Sequence, residues 1–540
     1  MRVDHIKLPL ANRLAQDYVL GKESALAFFG YHPYEFESYR KRLQWLRGQT
    51  FPHREKLVNG LYSYNESVGN HPAALERIRS LRCPDTCVVI GGQQAGVMTG
   101  PLYTIYKAIH LIQAAKRLSE ELKTEVVPVF WIAGEDHDID EIDHLHWLVD
   151  KERGLHKERL ALDKKGRKSA SQLPLDKTAC QNFLEAFFSA HTETVYTPQI
   201  REMLEQTAAG SATPVEWFAR IMAQLFGKHG LVLVESSLPF VRELEQPMFR
   251  RVIEQNERIA RLLKEAEGRL AAGGYPLQLN VEERQANLFL YENGERMVLE
   301  RHGERFISRH AVYTREELLR LLDEDPRRFS ANVVSRGLMQ EHLFPTLAFI
   351  GGPGEVAYWA YYRDVFAACG LQLPIVLPRM SVTLLEGALE RLLAEFGVGV
   401  EQVLTGFAEW KREWLSRQER HPLEKQFAAA RDSILAVYRP LVEEVVRLDP
   451  GMRGLAEKNV KFLLEQVSFL ENRLVRSLYE REEIAQSRLR RMEAVLLPDG
   501  SWQERKLSLF TFANKYGLSL VDRLVDAPFS HDGSHQIVYL

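Results

Sequence analysis

Short uninterrupted apolar runs, three of them closed by a glycine-rich or acid-rich turn, constrain this chain more than any other feature. Residues 126–133, Val-Val-Pro-Val-Phe-Trp-Ile-Ala, are apolar at every position yet no longer than a strand. A strand that is apolar on both faces has to be covered on both, which a parallel sheet clad in helices provides. Runs of the same kind recur at 86–90, 231–234, 345–350 and 374–377. Between the first two, Pro101 suits an opening helical position, where its missing N–H leaves nothing unpaired. Leu102, Ile105, Tyr106, Ile109 and Ile112 then recur at helical spacing. Strand, helix, strand in this order predicts an α/β fold around a parallel sheet.

The chain is long enough for about three structural units, with 540 residues, 45% of them hydrophobic and 26% charged. Those proportions are globular, and they exclude wholesale disorder, collagen-like repetition and a disulfide scaffold. Lys and Arg number 70 against 73 Asp and Glu, so the net charge of −3 gives no reason to expect a nucleic-acid partner. The cysteines Cys83, Cys87, Cys180 and Cys369 are few and lack redox or zinc spacing, as expected in a reducing compartment. The first twenty residues lack a basic stretch followed by an apolar one, and no apolar run approaches membrane-spanning length. A cytoplasmic protein without membrane partners is expected.

Two stretches interrupt the core pattern. Residues 151–178 are polar without sustained period, and 274–310 alternate as short strands around Asn293-Gly294 and His302-Gly303, a hairpin signal. From about residue 384 the pattern becomes helical. Leu423, Phe427, Ala430, Ile434, Val437, Leu441 and Val445 recur at threes and fours; after Asp449-Pro450-Gly451 so do Leu463, Val467, Leu470, Leu474 and Leu478. Two long helices joined by a short turn should pair antiparallel as a coiled coil. The expected division is a core in three parts (1–150, 206–240, 329–385), insertions at 151–205 and 241–328, a helical domain at 386–497, and a segment returning to the core at 498–540.

Three segments could carry chemistry. After the first strand, the glycines Gly91, Gly92, Gly96 and Gly100 are candidates to hold a nucleotide or other anion through backbone N–H groups and the following helix. Neither phosphate motif is satisfied there, since GGQQAG is not GxGxxG and no Gly-Lys-Ser/Thr follows. The adjacent amides of Gln93 and Gln94 could bind a polar substrate. After the strand ending at Ala133 comes GEDHDIDEIDH (134–144), an acid-rich segment at the carboxyl end of a buried strand, where α/β sheets bind ligands. On a helix, His137, Asp140, Glu141 and His144 would share one face. Asp136, His137 and Asp138 are the candidate catalytic groups, with Glu135, Asp140 and His144 beside them as substrate ligands. The third segment places Gly351, Gly352 and Gly354 as a second anion loop, then Glu355, Tyr358 and Trp359 at a helix start. Arg336 and Gln340 precede that strand, and Arg379 and Ser381 follow the last one, where an arginine could clamp a carboxylate or phosphate. Three strand ends should therefore converge on one crevice.

The segments GGQQAGVMTGPLYTIYKA (91–108), WIAGEDHDIDEIDH (131–144), FPTLAFIGGPGEVAYWA (344–360), PIVLPRMSVTLLE (374–386) and PDGSWQERKLSLF (498–510) resemble the bacillithiol biosynthesis BshC family, cysteine-adding enzymes, in the expected order over nearly the whole length. The resemblance implies a Rossmann-like, nucleotidyltransferase-type core with inserts and a C-terminal coiled coil that builds a homodimer. It also implies a ligase joining the carboxyl of L-cysteine to the amine of glucosaminyl-malate. Because that condensation is uphill in water, ATP is the expected co-substrate, so ATP or ADP should bind; Mg²⁺ is left open and zinc is not expected. Two other classes stay open at this point. One is a coiled-coil scaffold whose crevice binds a thiol precursor or nucleotide without turnover, and the other is a metal-dependent hydrolase.

Overall fold

Five of the apolar runs are strands of one sheet, in the order Ile375–Pro378, Thr346–Gly351, Cys87–Gln93, Val126–Ile132 and Val232–Glu235. Every neighbouring pair is parallel. The computed structural model describes residues 1–149, 154–164, 166–417 and 423–540. The boundary expected at 150–151 lies outside them. Successive residues of the central strands point to opposite faces: Cys87 and Val89 join one buried cluster, and Val88 and Ile90 the other. Phe130 and Ile132 likewise oppose Val129 and Trp131. The helix Leu102–Leu122 lies against this sheet, with thirteen buried residues in its 21.

Read in chain order, the sheet runs fifth, fourth, first, second, third. The direction of winding therefore reverses between Cys87–Gln93 and Thr346–Gly351, and such a switch point opens a crevice beyond the carboxyl ends of the strands.

Two further sheets belong to the same unit. An antiparallel sheet of five strands runs Val312–Thr314, Arg305–Ile307, Glu295–His302, Gln285–Glu292 and Phe329–Ala331. Its hairpin turns at Asn293 and Gly294, both with positive φ (51° and 79°), as a tight primed turn requires. In a three-stranded sheet His535–Tyr539 lies between Arg2–Ile6 and Ser381–Leu385, so the C-terminal segment packs with the core. The chain divides into Met1–Gly387 with Pro498–Leu540 as one unit, and Ala388–Leu497 as the other.

In the second unit, Leu423–Leu448 and Arg453–Leu496 form the antiparallel pair, joined by a tight turn in which Asp449 accepts from the Gly451 N–H at 2.8 Å. Phe427, Ile434 and Val445 on one helix, and Leu463, Val467 and Leu474 on the other, are half-buried. Val437, Leu441 and Leu470, which the spacing puts in the same seam, are instead exposed. Two helices cover only one stripe of each other, and a series of threes and fours drifts off that stripe within a few turns. The side chains of Leu423 and Leu478 lie outside the described set.

Candidate active site

The acid-rich segment is not the helix its spacing suggests. After Gly134 the chain makes a single 3-10 turn at Ile139–Glu141 and enters the strand His144–Val149. Leu145 and Trp147 are buried while His144 and His146 are not, a period of two that overrides the three-and-four spacing of the charges. His137, Asp140, Glu141 and His144 consequently share no helical face. Asp140 is exposed and paired with Arg159 and Lys164, and the His144 ring lies 3.2 Å from Asp143. Asp138 is exposed and outside the crevice wall, its N–H donating to Asp136.

Glu135 is fully buried and anchors the site from behind the cavity wall. Its carboxylate accepts from Arg242, from Arg336 Nε at 3.1 Å and from Ser330 Oγ at 3.0 Å. Burial opposes its charge, but Arg242, Arg336 and Arg296 outweigh that and hold the carboxyl at about 2. One acid thereby ties together arginines from the helices Pro239–Glu254 and Val333–Leu343.

The neighbouring residues open into a cavity of about 830 Å³ at the switch point, within the size range of small-molecule sites. Its wall brings together Gln93, Gln94, Asp136, His137, Arg336, Gln340, Glu355, Tyr358, Trp359 and Arg379 from all three candidate segments. Asp136 accepts from Gln94 Nε2 at 2.8 Å and from the His137 N–H at 2.8 Å. Burial works against its charge, yet Arg336, the Gln94 bond and Arg296 keep its carboxyl below the ordinary range. Burial and then Arg296 push the His137 pKa down. Arg296 Nη1 lies 3.0 Å from His137 Nδ1 and can only donate, so the neutral ring carries its proton on Nε2. His137 is therefore a donor whose one lone pair is already engaged, and Asp136 is an ionised partner for a cation. Neither is a strong general base at neutral pH.

Several residues expected in the site are engaged elsewhere. The fork of Arg379 is spent on Glu504, at 2.6 and 3.2 Å, and on the Met380 carbonyl at 2.6 Å, so this arginine borders the cavity without a free bidentate face. Ser381 bonds His535 and lies outside the wall. Trp359 stacks on Phe349, with ring centroids 4.2 Å apart. Of the glycines, Gly92, Gly352 and Gly354 line the cavity, whereas Gly91, Gly96, Gly100 and Gly351 do not.

The backbone donors expected to cradle an anion are largely taken. Leu102 N–H, at the start of the long helix, donates to the Leu507 carbonyl at 2.8 Å, and Gly352 N–H donates to Glu355 Oε2 at 2.7 Å. Gly91 serves close packing instead: a Cβ there would sit 2.8 Å from the Ile350 carbonyl of the adjacent strand. Gly100, with φ 65° after left-handed Met98 and Thr99, turns the chain into the helix.

Other groups in the wall escape sequence reasoning. Lys107 is buried; its Nζ donates to the Gly92 carbonyl at 2.5 Å, to Glu355 at 2.6 Å and to Gln93 Oε1 at 3.3 Å. Burial lowers its pKa, with Glu355 working the other way. A lysine inside a run of buried helix positions is the signal that could have found it. Tyr103, Arg505 and the indole of Trp131, whose N–H is buried with no acceptor among the described residues, also line the cavity. Arg296, Asn287 and Phe289 come from the antiparallel sheet, which supplies the facing wall. No sequence pattern announces which insertion folds over the crevice.

Fold and site together define a Rossmann-like protein with a polar ligand crevice at its switch point and a separate helical-hairpin unit. Residues 1–380 match the family described as bacillithiol biosynthesis BshC, N-terminal Rossmann-like domain, and residues 382–540 match the C-terminal coiled-coil domain of the same family. The chain belongs to the bacillithiol biosynthesis BshC family. It is 38% identical to a protein of Geobacillus kaustophilus, 37% to one of Geobacillus thermodenitrificans and 35% to one of Bacillus cytotoxicus, in each case over the full length of both chains. Each of these relatives bears the name "Putative cysteine ligase BshC".

Proposed function

We propose that this protein is a cysteine ligase that forms the amide bond between the carboxyl of L-cysteine and the amine of glucosaminyl-malate, using ATP. The names of the full-length relatives support the reaction class. The observation that carries the reading is the convergence of Gln93, Asp136 and Glu355, from three strand ends, and of Arg336, from the helix Val333–Leu343, on one cavity at the switch point.

In this reading Asp136, ionised and beside Gln94, receives the cysteine ammonium, and the His137 Nε2–H and the Gln93 amide donate to carboxyl or sugar oxygens. Lys107 bonds both Gln93 and Glu355, so these two side chains keep their spacing. The new C–N bond replaces a C–O bond to an activating phosphoryl or adenylyl group, which leaves with the bond electrons as the amine loses its proton. Among the described residues no three His, Cys, Asp or Glu side chains gather as metal ligands. Any Mg²⁺ would be held largely by the nucleotide phosphates, with a carboxylate such as Asp136 or Glu355.

The helical unit would form a homodimer. Val437, Leu448, Leu455, Phe462 and Phe469 are between 58% and 73% exposed, and Leu455, Phe462 and Phe469 follow one another at intervals of seven, as a helix–helix seam does. Four free cysteines suit a cytoplasmic setting. No helix among the described residues is long and apolar enough to cross a membrane.

The test is product formation from ATP, cysteine and glucosaminyl-malate, followed by mass spectrometry. Asp136→Asn should lower kcat/KM for cysteine by about 10- to 100-fold, the usual worth of a hydrogen bond to a charged group. Unchanged turnover would remove Asp136 from the site.

A further inference from the structure

Five cations line the crevice, and four already have partners. Lys107 is bound to Glu355, Arg336 to Glu135 and Arg379 to Glu504. Arg296 is held by Ser330 Oγ at 2.9 Å, the Ala331 carbonyl at 2.6 Å and the His137 ring, with its guanidinium over Phe289. Arg505 differs: its side chain is exposed, and among the described residues it makes neither an ion pair nor a side-chain hydrogen bond.

The backbone that carries Arg505 is fixed on both sides. Gln503 mimics a paired strand, accepting from the Leu384 N–H at 2.8 Å and donating to the Leu384 carbonyl at 3.0 Å. Glu504 holds Arg379 and also accepts from the Val382 N–H at 3.0 Å. Leu507 accepts from the Leu102 N–H, and Ser508 bridges to Pro101. Residues on either side are locked by six such contacts, while the cation between them has no partner among the described residues at the Tyr103 end of the crevice. Besides Arg505, the charges of Arg379, Glu141 and Glu355 act on Tyr103 at that end. Arg379 and Glu355 are neutralised by Glu504 and Lys107, which leaves Glu141, of the acids whose charges act on Tyr103, to compete for Arg505.

We propose that Arg505 is the docking residue for the anionic group of the ligand, a carboxylate or a phosphate, at the Tyr103 end of the crevice. This rests on the ligand reading of the crevice and adds which residue meets the anion. A preplaced, unpaired guanidinium gives a bidentate contact with little reorganisation. The carboxylate could come from the malate moiety and the phosphate from the nucleotide.

Calorimetric titration of the full chain with L-malate in one arm and ATP in the other separates these sources without requiring turnover. For at least one of the two anions, Arg505→Gln should weaken binding by about 10- to 100-fold and Arg505→Lys by less, with the loss shrinking as salt rises. Loss in the malate arm assigns the carboxylate, and loss in the ATP arm the phosphate. Binding of both anions to Arg505→Gln as to the wild type overturns the proposal, as does the absence of binding of either anion to the wild type. Since Arg505 has no ion-pair or hydrogen-bond partner among the described residues to lose, the variant's melting temperature should match the wild type. Cysteine-dependent turnover measured alongside keeps the outcomes distinct: turnover with unaltered anion binding refutes only the role of Arg505.

Discussion

Replacing Glu135 by glutamine tests how the site is held. The side chain keeps its shape but loses its charge, leaving buried Arg242 with Glu245 as its remaining acid and half-buried Arg336 with a neutral acceptor in place of its ion pair. The magnitude follows by two routes. Breaking a buried ion pair by removing one partner costs about 3–5 kcal/mol. Independently, a carboxyl held at about 2 against an ordinary 4.5 favours its charged form by about 3 kcal/mol. Against a total stability of about 5–15 kcal/mol the variant should fold with a markedly lower unfolding midpoint. The assay is urea unfolding followed by tryptophan fluorescence, with Trp131 and Trp217 buried in the core unit.

The pH dependence carries a sign. Because the folded carboxyl is depressed, its stabilisation is present above about 4.5 and is lost as pH falls from there toward 2. The gap between wild type and Glu135→Gln should therefore be full at pH 7 and smaller at pH 3. A variant within about 1 kcal/mol of wild type at pH 7, or a gap that stays constant down to pH 3, would refute the anchoring role.

Two further outcomes are expected. Lys107→Met should lower turnover by about 100-fold or more, since Gln93 and Glu355 lose their common donor, and Lys107→Arg should not restore it, because a guanidinium does not fit a site sized for an ammonium; full activity in Lys107→Met would show that Lys107 does not position the crevice. Phe462→Ser combined with Phe469→Ser should convert a dimer to a monomer by analytical ultracentrifugation while helicity by circular dichroism is kept. A dimer that survives both changes would place the interface elsewhere.

The parallel core is legible in the sequence because its strands are buried on both faces, so apolar runs such as 126–133 have no other stable use. Its strand ends are legible for the same reason, and the cavity does gather Gln93, Asp136 and Glu355. Local spacing misleads wherever tertiary contacts set the outcome. The charges of 137–144 look helical, but burial of Leu145 and Trp147 selects a strand. Glu135 and Arg379 look like ligand-binding groups, but their partners Arg242 and Glu504 lie more than a hundred residues away, and no local pattern reveals such a pairing. Arg505 is hidden for the opposite reason, since what singles it out is a missing partner. The facing wall, with Arg296 and Phe289, depends on how an insertion folds back, which hydrophobic period does not encode.

The central claim is that substrate occupies the crevice at the switch point of the parallel sheet. The most direct measurement is the electron density of a crystal soaked with cysteine and glucosaminyl-malate. The account predicts ligand density bounded by Gln93, Asp136 and Glu355, with the cysteine nitrogen at Asp136. Ordered substrate at another surface, with this crevice holding solvent alone, would contradict it.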